Sequence, residues 1–384
     1  MVSLDKDILA LEKEVIAHRR WLHSHPEIGF EVYKTRDYIL EQLNKYGFDE
    51  VSLLAGTGIK AVMRGKVGAR TLAFRADMDA LAIEEKTGLE FASKRKGFMH
   101  ACGHDGHMAI LLGFAQWLSQ NKDNIDDNFV LVFQPDEERE GGALPMIKEG
   151  LLDAPKVDAI FGLHVLPDIP QGKIGVKAGP LMAQTCEVDI EVMGKSAHCA
   201  TPHKGVDTIV AAAHFINALQ SIITRTIDSS QEAVFSIGRI YGGDTRNILA
   251  EQVTLECTVR TFSDDLYQNI KGKVLDLLEG MEKSHGVKSS YNEGVYYPPV
   301  INHEEWTQKL INILPKEQYM EAKPLMIAED FSYYQREVPG VFMFLGSYNQ
   351  AKGYIHPLHS NRFNFDEEIL LYGVQLYKNI TTRI

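Results

Sequence analysis

The chain has 384 residues, of which 45% are hydrophobic and 24% are charged, an ordinary composition for a globular protein. Its net charge of −12 argues against nucleic acid or an anionic membrane as the main partner, because both require a basic footprint. Four cysteines are too few for a secreted disulfide scaffold, and no signal peptide or membrane-spanning apolar stretch is evident. We therefore expect a soluble, cytoplasmic protein of two to three domains.

The first half of the chain carries the pattern of an α/β fold. Residues 4–24 and 33–46 place apolar side chains on one helical stripe, which predicts two amphipathic helices. Short apolar runs then alternate with helical patterns. They predict strands at 71–75, 128–134 and 159–164, and helices at 108–121 and 142–149. Near-continuous apolar strands separated by helices are typical of a mainly parallel sheet that is covered on both faces.

The pattern changes after residue 182. Strand and helix signals follow at 185–193, 206–225, 232–240, 252–261, 264–285 and 288–295. Their order is β-α-β-β-α-β, the ferredoxin-like arrangement. We predict that residues 183–296 form this small α+β domain. It would be inserted into a discontinuous α/β domain of residues 1–182 and 297–384, whose outer layers are completed by helices at 304–313 and 367–379.

Polar side chains follow three of the predicted strands. Asp77 and Asp79 come after the first strand, Glu137 and Glu138 after the second, and His164 ends the third. Ligands of open α/β sheets lie beyond the carboxyl ends of the strands, so three such ends at one edge predict a metal site. Each acidic group taken alone is more typical of the start of a solvated loop, and only the three together favour a metal site.

The densest group of candidate ligands begins at His100, where eight positions hold one Cys, one Asp and three His. Thiolate and imidazole are both good ligands for borderline divalent metals, which makes Cys102 and His104 candidates. Two other interpretations of this segment remain open. One is a buried cysteine beside surface histidines, and the other is a thiol nucleophile paired with a histidine.

Two adjacent carboxylates, Glu137 and Glu138, point in different directions, so one can bind a metal while the other moves protons. The alternative is a solvated acidic turn, because 136–140 is a charge run. His164 and His359 are compatible either with ligation or with an ordinary structural role. His198 has no acidic neighbour within 194–198, which suits a hydrogen-bond donor to substrate better than a metal ligand.

Together these segments resemble the M20 metallopeptidase family, and within it the branch of amidohydrolases. Seven motifs that carry the resemblance occur in order: RADMDAL at 75–81, MHACGHD at 99–105, FQPDEE at 133–138, GLH at 162–164, GKSAH at 194–198, EDF at 329–331 and PLH at 357–359. No single motif is decisive, but seven in one order are highly specific. The resemblance covers nearly the whole chain.

The resemblance implies a site for two divalent cations, with Zn, Mn, Co and Ni as the candidates. The residues at the ligand positions of the family are Cys102, His104, Glu138, His164 and His359. Cys102 takes the place that a bridging aspartate holds in other branches. We assign Asp77 and Asp105 to supporting positions beside these ligands.

Four further residues receive roles. By resemblance, Glu137 is the general acid and base, His198 stabilises the tetrahedral oxyanion and is donated across a dimer, and Asn247 contacts substrate. We add Arg246 as a partner for a substrate carboxylate, because a guanidinium fork suits that group.

The implied activity is metal-dependent hydrolysis of the amide bond of N-acyl amino acids, with N-acetyldiaminopimelate as one candidate substrate. The inserted domain would act as a lid and join two chains in a homodimer. Hippurate-type hydrolysis and a broad-specificity aminoacylase or carboxypeptidase are alternatives. From other classes of protein, a metal-free cysteine hydrolase and an inactive metal-binding or amino-acid-binding protein also remain open.

Overall fold

The computed structural model describes residues 4–66 and 70–384. The chain forms two compact units. The first comprises Met1–Leu181, Ile301–Lys323 and Asp330–Ile384, and the second comprises Met182–Val300 and Pro324–Glu329. Within the described ranges, no helix combines the length and apolarity that crossing a bilayer demands.

Strands and helices are numbered here in chain order. The strands are β1 Glu50–Leu54, β2 Gly58–Met63, β3 Thr71–Asp77, β4 Asn128–Gln134, β5 Ala159–Pro170, β6 Ile174–Val176, β7 Gly179–Met182, β8 Gln184–Met193, β9 Ala233–Gly242, β10 Gln252–Thr261, β11 Lys288–Tyr297, β12 Val300–Asn302, β13 Tyr319–Glu321 and β14 Gly340–Tyr348. The helices are α1 Lys6–Leu9, α2 Glu12–Ser24, α3 Tyr33–Tyr46, α4 His104–Gln120, α5 Ala143–Lys148, α6 Thr208–Ser221, α7 Asp264–His285, α8 Glu304–Ile313, α9 Ser332–Glu337 and α10 Glu368–Arg383.

The first unit is built on an eight-stranded sheet with the order β1-β2-β4-β3-β5-β14-β6-β13. Its centre, β4-β3-β5-β14, is parallel, whereas β1 and β2 form an antiparallel edge. Every residue of β3 is buried, which requires cover on both faces of the sheet. The predicted α/β class with a mainly parallel sheet is therefore confirmed.

The second unit contains a four-stranded antiparallel sheet with the order β11-β8-β10-β9, which α6 and α7 accompany. Buried and exposed residues alternate along β8, as expected for a sheet with one face in the core. Phe215 of α6 and Val274 of α7 belong to the same core as Ile190 and Leu255 of the sheet. The predicted β-α-β-β-α-β order is confirmed.

Helix α4 carries part of the predicted site and is buried along most of its length, where it contacts α2 and α10. Gly113 permits the close contacts, because a Cβ there would lie 2.6 Å from Val15 Cγ2 and 3.0 Å from Val374 Cγ2. The helix begins at His104, four residues before the predicted start at 108. The residue before it, Gly103, has a φ of 90°, and a Cβ at this position would lie 2.3 Å from Val165 Cγ2.

Two other predicted boundaries are wrong. The helix predicted at 4–24 is divided into α1 and α2 at Ala10 and Leu11. The strand predicted to end at His164 continues to Pro170, because β14 pairs with β5 over this stretch, with Phe344 opposite His164 and Tyr348 opposite Pro170. His164 therefore lies inside a strand, and the site is only partly a set of strand ends.

Candidate metal centre

The five predicted ligands lie in the first unit, and close contacts connect them. Cys102 Sγ is 3.4 Å from His164 Nε2. The carboxylate of Glu138 contacts two of the histidines. Its Oε1 is 3.8 Å from His104 Nε2 and 3.3 Å from His359 Nε2. Five segments of the chain therefore bring one thiol, three imidazoles and one carboxylate together: the loop before α4, the first turn of α4, the turn after β4, strand β5, and the 357–360 loop.

His359 comes from a loop near the C-terminus that is attached to the loop before α4. Its backbone N–H donates to the Ala101 carbonyl at 2.8 Å, and its φ is 62°, a conformation uncommon for a residue with a side chain. The imidazole is half exposed, unlike that of the buried His104. This side of the cluster is therefore the one open to solvent.

Hydrogen bonds fix which ring nitrogen faces the cluster. His104 Nδ1 donates to the Asp79 carbonyl at 2.8 Å, and His164 Nδ1 donates to the Val165 carbonyl at 2.7 Å. In both rings Nδ1 therefore carries a proton, and Nε2 is the nitrogen that faces the other ligands and can offer a lone pair to a cation. An outer hydrogen bond of this kind is the usual way in which proteins orient a metal-binding histidine.

Two buried polar atoms of the cluster lack a hydrogen bond to any residue in 4–66 or 70–384. They are His104 Nε2 and Glu138 Oε1. A buried polar atom without a hydrogen bond costs about 1–3 kcal/mol, so His104 Nε2 suits coordination to a cation, as does Glu138 Oε1, whose contact with His359 at 3.3 Å is ionic. Together with Cys102 and His164, these donors fit a dinuclear site for divalent metals, because thiolate, imidazole and carboxylate are the ligands that borderline cations prefer.

The electrostatics of the cluster also distinguish a ligand cysteine from a nucleophile. Burial, followed by the charges of Glu138 and Glu137, raises the pKa of the Cys102 thiol well above its usual range. Without a cation the thiol would stay protonated and unreactive. Burial and the neighbouring His107 lower the pKa of His164 to about 3, so this imidazole is neutral and can offer its lone pair. The directions of these two pKa shifts therefore favour metal binding over a metal-free cysteine hydrolase.

Asp79 holds the turn that presents the two glutamates. Its carboxylate accepts the backbone N–H of Glu137 at 3.0 Å and that of Glu138 at 3.2 Å. Glu137 is 8% exposed, so its carboxyl group is largely removed from water. Sequence reasoning placed Asp79 at the strand end but gave it no role. Its presence in the RADMDAL motif was the signal that could have indicated this role.

The two predicted supporting residues have different surroundings. Asp77 Oδ2 accepts from Arg75 Nη1 at 2.7 Å and lies 3.7 Å from His104 Nε2. Burial works against its charge, but His104, His107 and Arg75 outweigh this and hold the pKa of Asp77 well below its usual range. Asp105 instead contacts α2, with Arg19 Nε 3.2 Å and His23 Nδ1 2.9 Å from its Oδ2.

The ion pair between His23 and the carboxylates predicts a pH dependence of stability. Burial opposes the charge of His23, but Asp105 and Glu85 outweigh it and raise the pKa of His23 from 6.5 to about 9. Because the folded-state pKa is the higher one, this stabilisation is complete below pH 6.5 and is lost as the pH rises through 9. We expect His23→Gln to lower the free energy of unfolding by about 3 kcal/mol at pH 6 and by much less at pH 10.

Urea unfolding at both pH values measures this difference. The control is His25→Gln, which changes a second histidine of the same segment, whose Nδ1 contacts the Trp21 carbonyl at 2.7 Å. An equal loss of stability at pH 6 and pH 10 in His23→Gln would contradict the prediction.

The remaining predicted residues lie in the second unit and are exposed. Two loops pair there, with His198 opposite Ile248 and the Cys199 N–H donating to the Asn247 carbonyl at 3.0 Å. The side chain of Asn247 accepts from Thr245 Oγ1 at 2.9 Å, and Arg246 belongs to the same turn. The structure therefore brings His198, Arg246 and Asn247 together on one surface of this unit.

With this geometry described, the chain can be compared with known proteins. The sequence model of peptidase family M20/M25/M40 matches residues 73–383. The chain belongs to this family. The family resemblance inferred from the seven motifs is thereby confirmed, and so is the interpretation of the chain as a hydrolase of amide bonds.

Three relatives give the range of similarity. The chain is 38% identical over 367 residues to the N-acetyl-L-cysteine deacetylase of Bacillus subtilis, which covers 95% of this chain and 86% of the relative. It is 39% identical over 371 residues to the N-acetyldiaminopimelate deacetylase of Bacillus velezensis, with 95% and 97% covered. A crystal structure of a dinuclear metal-binding M20 peptidase from Bacillus subtilis superimposes with a TM-score of 0.85 at 33% identity, with 98% and 100% covered.

Proposed function

We propose that this protein is a metal-dependent amidohydrolase that removes the acyl group, in particular acetyl, from N-acyl amino acids. The observation that carries the proposal is the position of Glu137. It precedes the cluster residue Glu138 directly, and Asp79 holds its backbone. Its carboxylate lies close enough to the cluster to raise the pKa of the Cys102 thiol. A protein that only bound metals would not need a second, buried carboxylate there.

Cys102, His104, Glu138, His164 and His359 would hold two divalent cations. When bound, these cations polarise the substrate carbonyl and lower the pKa of a water molecule. The thiolate and the three imidazoles of this donor set suit Zn, Co or Ni, and the family resemblance also allows Mn. Elemental analysis of protein purified without added metal identifies the native cation. A content well below two ions per chain that no added cation raises would contradict the proposed site.

Glu137 supplies the proton transfers. Its carboxylate accepts a proton from the attacking water and returns it to the leaving amine, which then departs as a free amino acid. Burial in this position keeps bulk water from competing for that proton. Asp79 fixes the backbone of the turn, so the carboxyl group approaches the reacting atoms from a constant direction.

We further propose that His198 donates a hydrogen bond to the oxyanion of the tetrahedral intermediate, with Asn247 and Arg246 contacting the substrate. By the family resemblance, His198 would be donated across a dimer. We expect His198→Ala to lower kcat by about 10²–10³-fold and to leave the metal content unchanged. His203→Ala, which changes an exposed histidine of the same region, is the control. Loss of metal in His198→Ala would exclude the oxyanion role.

The acyl group and the amino acid are identified by a substrate panel. Purified enzyme is incubated with N-acetyldiaminopimelate, N-acetyl-L-cysteine, hippurate and a dipeptide, and the free amine is measured. We expect the two N-acetyl compounds to have the highest kcat/KM, because relatives with these two activities cover most of the chain. Preference for hippurate or the dipeptide would replace the deacetylase assignment with the alternatives. No turnover of any compound by metal-loaded enzyme would contradict the amidohydrolase itself.

We propose that the second unit joins two chains. Strand β9 is an edge of its sheet and exposes Val234, Ile240 and Tyr241, and the start of α6 exposes Ile209 and Val210. A long edge strand with exposed apolar side chains is suited to pairing with another chain. Sedimentation velocity should show a dimer, and Val234→Lys/Ile240→Lys should be monomeric. Leu275→Lys, at an equally exposed apolar residue of α7, should remain dimeric. A monomeric wild type would contradict this.

A cytoplasmic location is the final part of the proposal. All four cysteines are free thiols, and Cys199 is exposed, which suits a reducing compartment. Fractionation of the source cell, with immunodetection in each fraction, tests it. Recovery outside the cytoplasmic fraction would contradict the assignment.

A further inference from the structure

His107 lies beside the proposed metal ligands but has a different environment. Its ring centroid is 4.5 Å from that of His164 and 5.5 Å from that of His104, and its side chain is buried. By distance alone it would count among the candidate ligands, together with Asp77. Its hydrogen bonds decide otherwise.

Both ring nitrogens of His107 are occupied by the protein. Nδ1 lies 2.7 Å from Asp77 Oδ1, and Nε2 accepts the backbone N–H of Val165 at 2.9 Å. Because Nε2 accepts a backbone N–H, the ring proton is on Nδ1, which donates it to Asp77 Oδ1, and Arg75 donates to the other oxygen of Asp77. The single lone pair of this neutral ring is therefore used by Val165, and none is left for a cation.

The contact with Val165 connects His107 to a proposed ligand. The pairing of β3 with β5 reaches Arg75 opposite Gly162, three residues before Val165. Beyond that point, the Val165 N–H bonds to His107 instead of to a neighbouring strand. The carbonyl of the same residue accepts from His164 Nδ1 at 2.7 Å. His107 thus holds the peptide group on one side of Val165, and the peptide group on the other side orients the His164 ring.

We propose that His107 is a positioning residue that orients His164 toward the metals through the backbone of Val165. The ion pair between Arg75 and Asp77 keeps the tautomer of His107 fixed. The inference rests on the proposed metal site. It assigns a role to a histidine that the sequence alone cannot distinguish from a ligand. Loss of an outer hydrogen bond of this kind typically costs about 10- to 100-fold in metal affinity.

Three variants separate the two hydrogen bonds of His107. His107→Ala removes both. His107→Gln can place an amide oxygen near the position of Nε2 and accept from Val165, whereas His107→Asn can place an amide N–H near the position of Nδ1 and donate to Asp77. Zn²⁺ affinity is measured by competition with a chromophoric chelator, and ligand geometry by the visible absorption of Co²⁺-loaded protein.

We expect His107→Ala to bind two ions per chain, with affinity reduced by about 10- to 100-fold and with a shifted Co²⁺ spectrum. His107→Gln should recover more of the affinity than His107→Asn. The matched control is His18→Ala. His18 is also buried, with its two nitrogens 2.8 Å and 3.0 Å from the hydroxyls of Tyr38 and Tyr46. This variant should lose thermal stability but keep the Zn²⁺ affinity of the wild type.

Several results would overturn the proposal. Unchanged affinity in His107→Ala would remove the positioning role, and binding of only one ion would make His107 a ligand. Recovery by Asn but not by Gln would contradict transmission through Val165. An equal loss of Zn²⁺ affinity in His18→Ala would show that the loss in His107→Ala comes from general destabilisation of the fold. Wild-type protein that binds no Zn²⁺ would overturn the proposed function as well. If the wild type binds two ions and His107→Ala binds them with the same affinity, only this inference is overturned.

Discussion

Replacing Glu137 with Gln is expected to lower kcat by about 10²–10⁴-fold while the protein keeps its metals and its fold. The amide of Gln has nearly the same shape as the carboxyl group but cannot accept the proton of the attacking water. The metal content should be unchanged because Glu138 supplies the carboxylate that contacts His104 and His359 in the cluster. The measurements are kcat with the best N-acyl amino acid and metal content by elemental analysis.

The matched control for this variant is Glu140→Gln. Glu140 lies in the same turn, is exposed, and uses its backbone N–H, not its side chain, to contact Asp136 at 3.2 Å. It should retain the kcat of the wild type. A decrease of less than about tenfold in Glu137→Gln would remove Glu137 from the proton transfers.

Removal of the metals is expected to reduce hydrolysis to the rate without enzyme, and added divalent cation is expected to restore it. Without cations, the cluster keeps two buried polar atoms without a hydrogen bond to the described residues, and a Cys102 thiol whose pKa is well above its usual range. Nothing in that state replaces the polarisation of the carbonyl. The measurement is activity after dialysis against a chelator, followed by titration with Zn²⁺, Mn²⁺, Co²⁺ and Ni²⁺.

Thiol alkylation distinguishes this outcome from a cysteine hydrolase. Cys199 is exposed and would react first, so the experiment uses Cys199→Ser, in which Cys102, Cys186 and Cys257 are all buried. With metals bound, iodoacetamide should leave its activity intact. Activity that survives the chelator but is lost on alkylation would establish the cysteine mechanism instead.

Much of the fold was predictable because burial leaves a direct trace in the sequence. Strands β3 and β4 are covered on both faces, so they appear as apolar runs, while β8 has one face in the core and alternates. The central strand β14, Gly340–Tyr348, was not predicted. An apolar run of this length is compatible with either a strand or a buried helix until its neighbours are known.

Boundaries that depend on tertiary contacts were predicted less well. The extension of β5 beyond His164 comes from its pairing with β14, whose residues lie about 180 positions later in the chain. The early start of α4 at His104 depends on Gly103, which turns the chain against Val165. The local periodicity of the sequence does not indicate either contact, because the contacting residues are far apart in the chain.

The sequence by itself determined the family, the α/β class with its inserted unit, and the kinds of donor available to a metal, since motif order and residue chemistry are properties of the chain. Only the tertiary structure decided which of those donors face one another. His107 and Asp105 share a segment with His104, yet Asp77 and Val165 occupy the first, and Arg19 and His23 contact the second. The physical reason is that the direction and tautomer of a side chain are set by its hydrogen-bond partners, and here those partners come from distant parts of the chain.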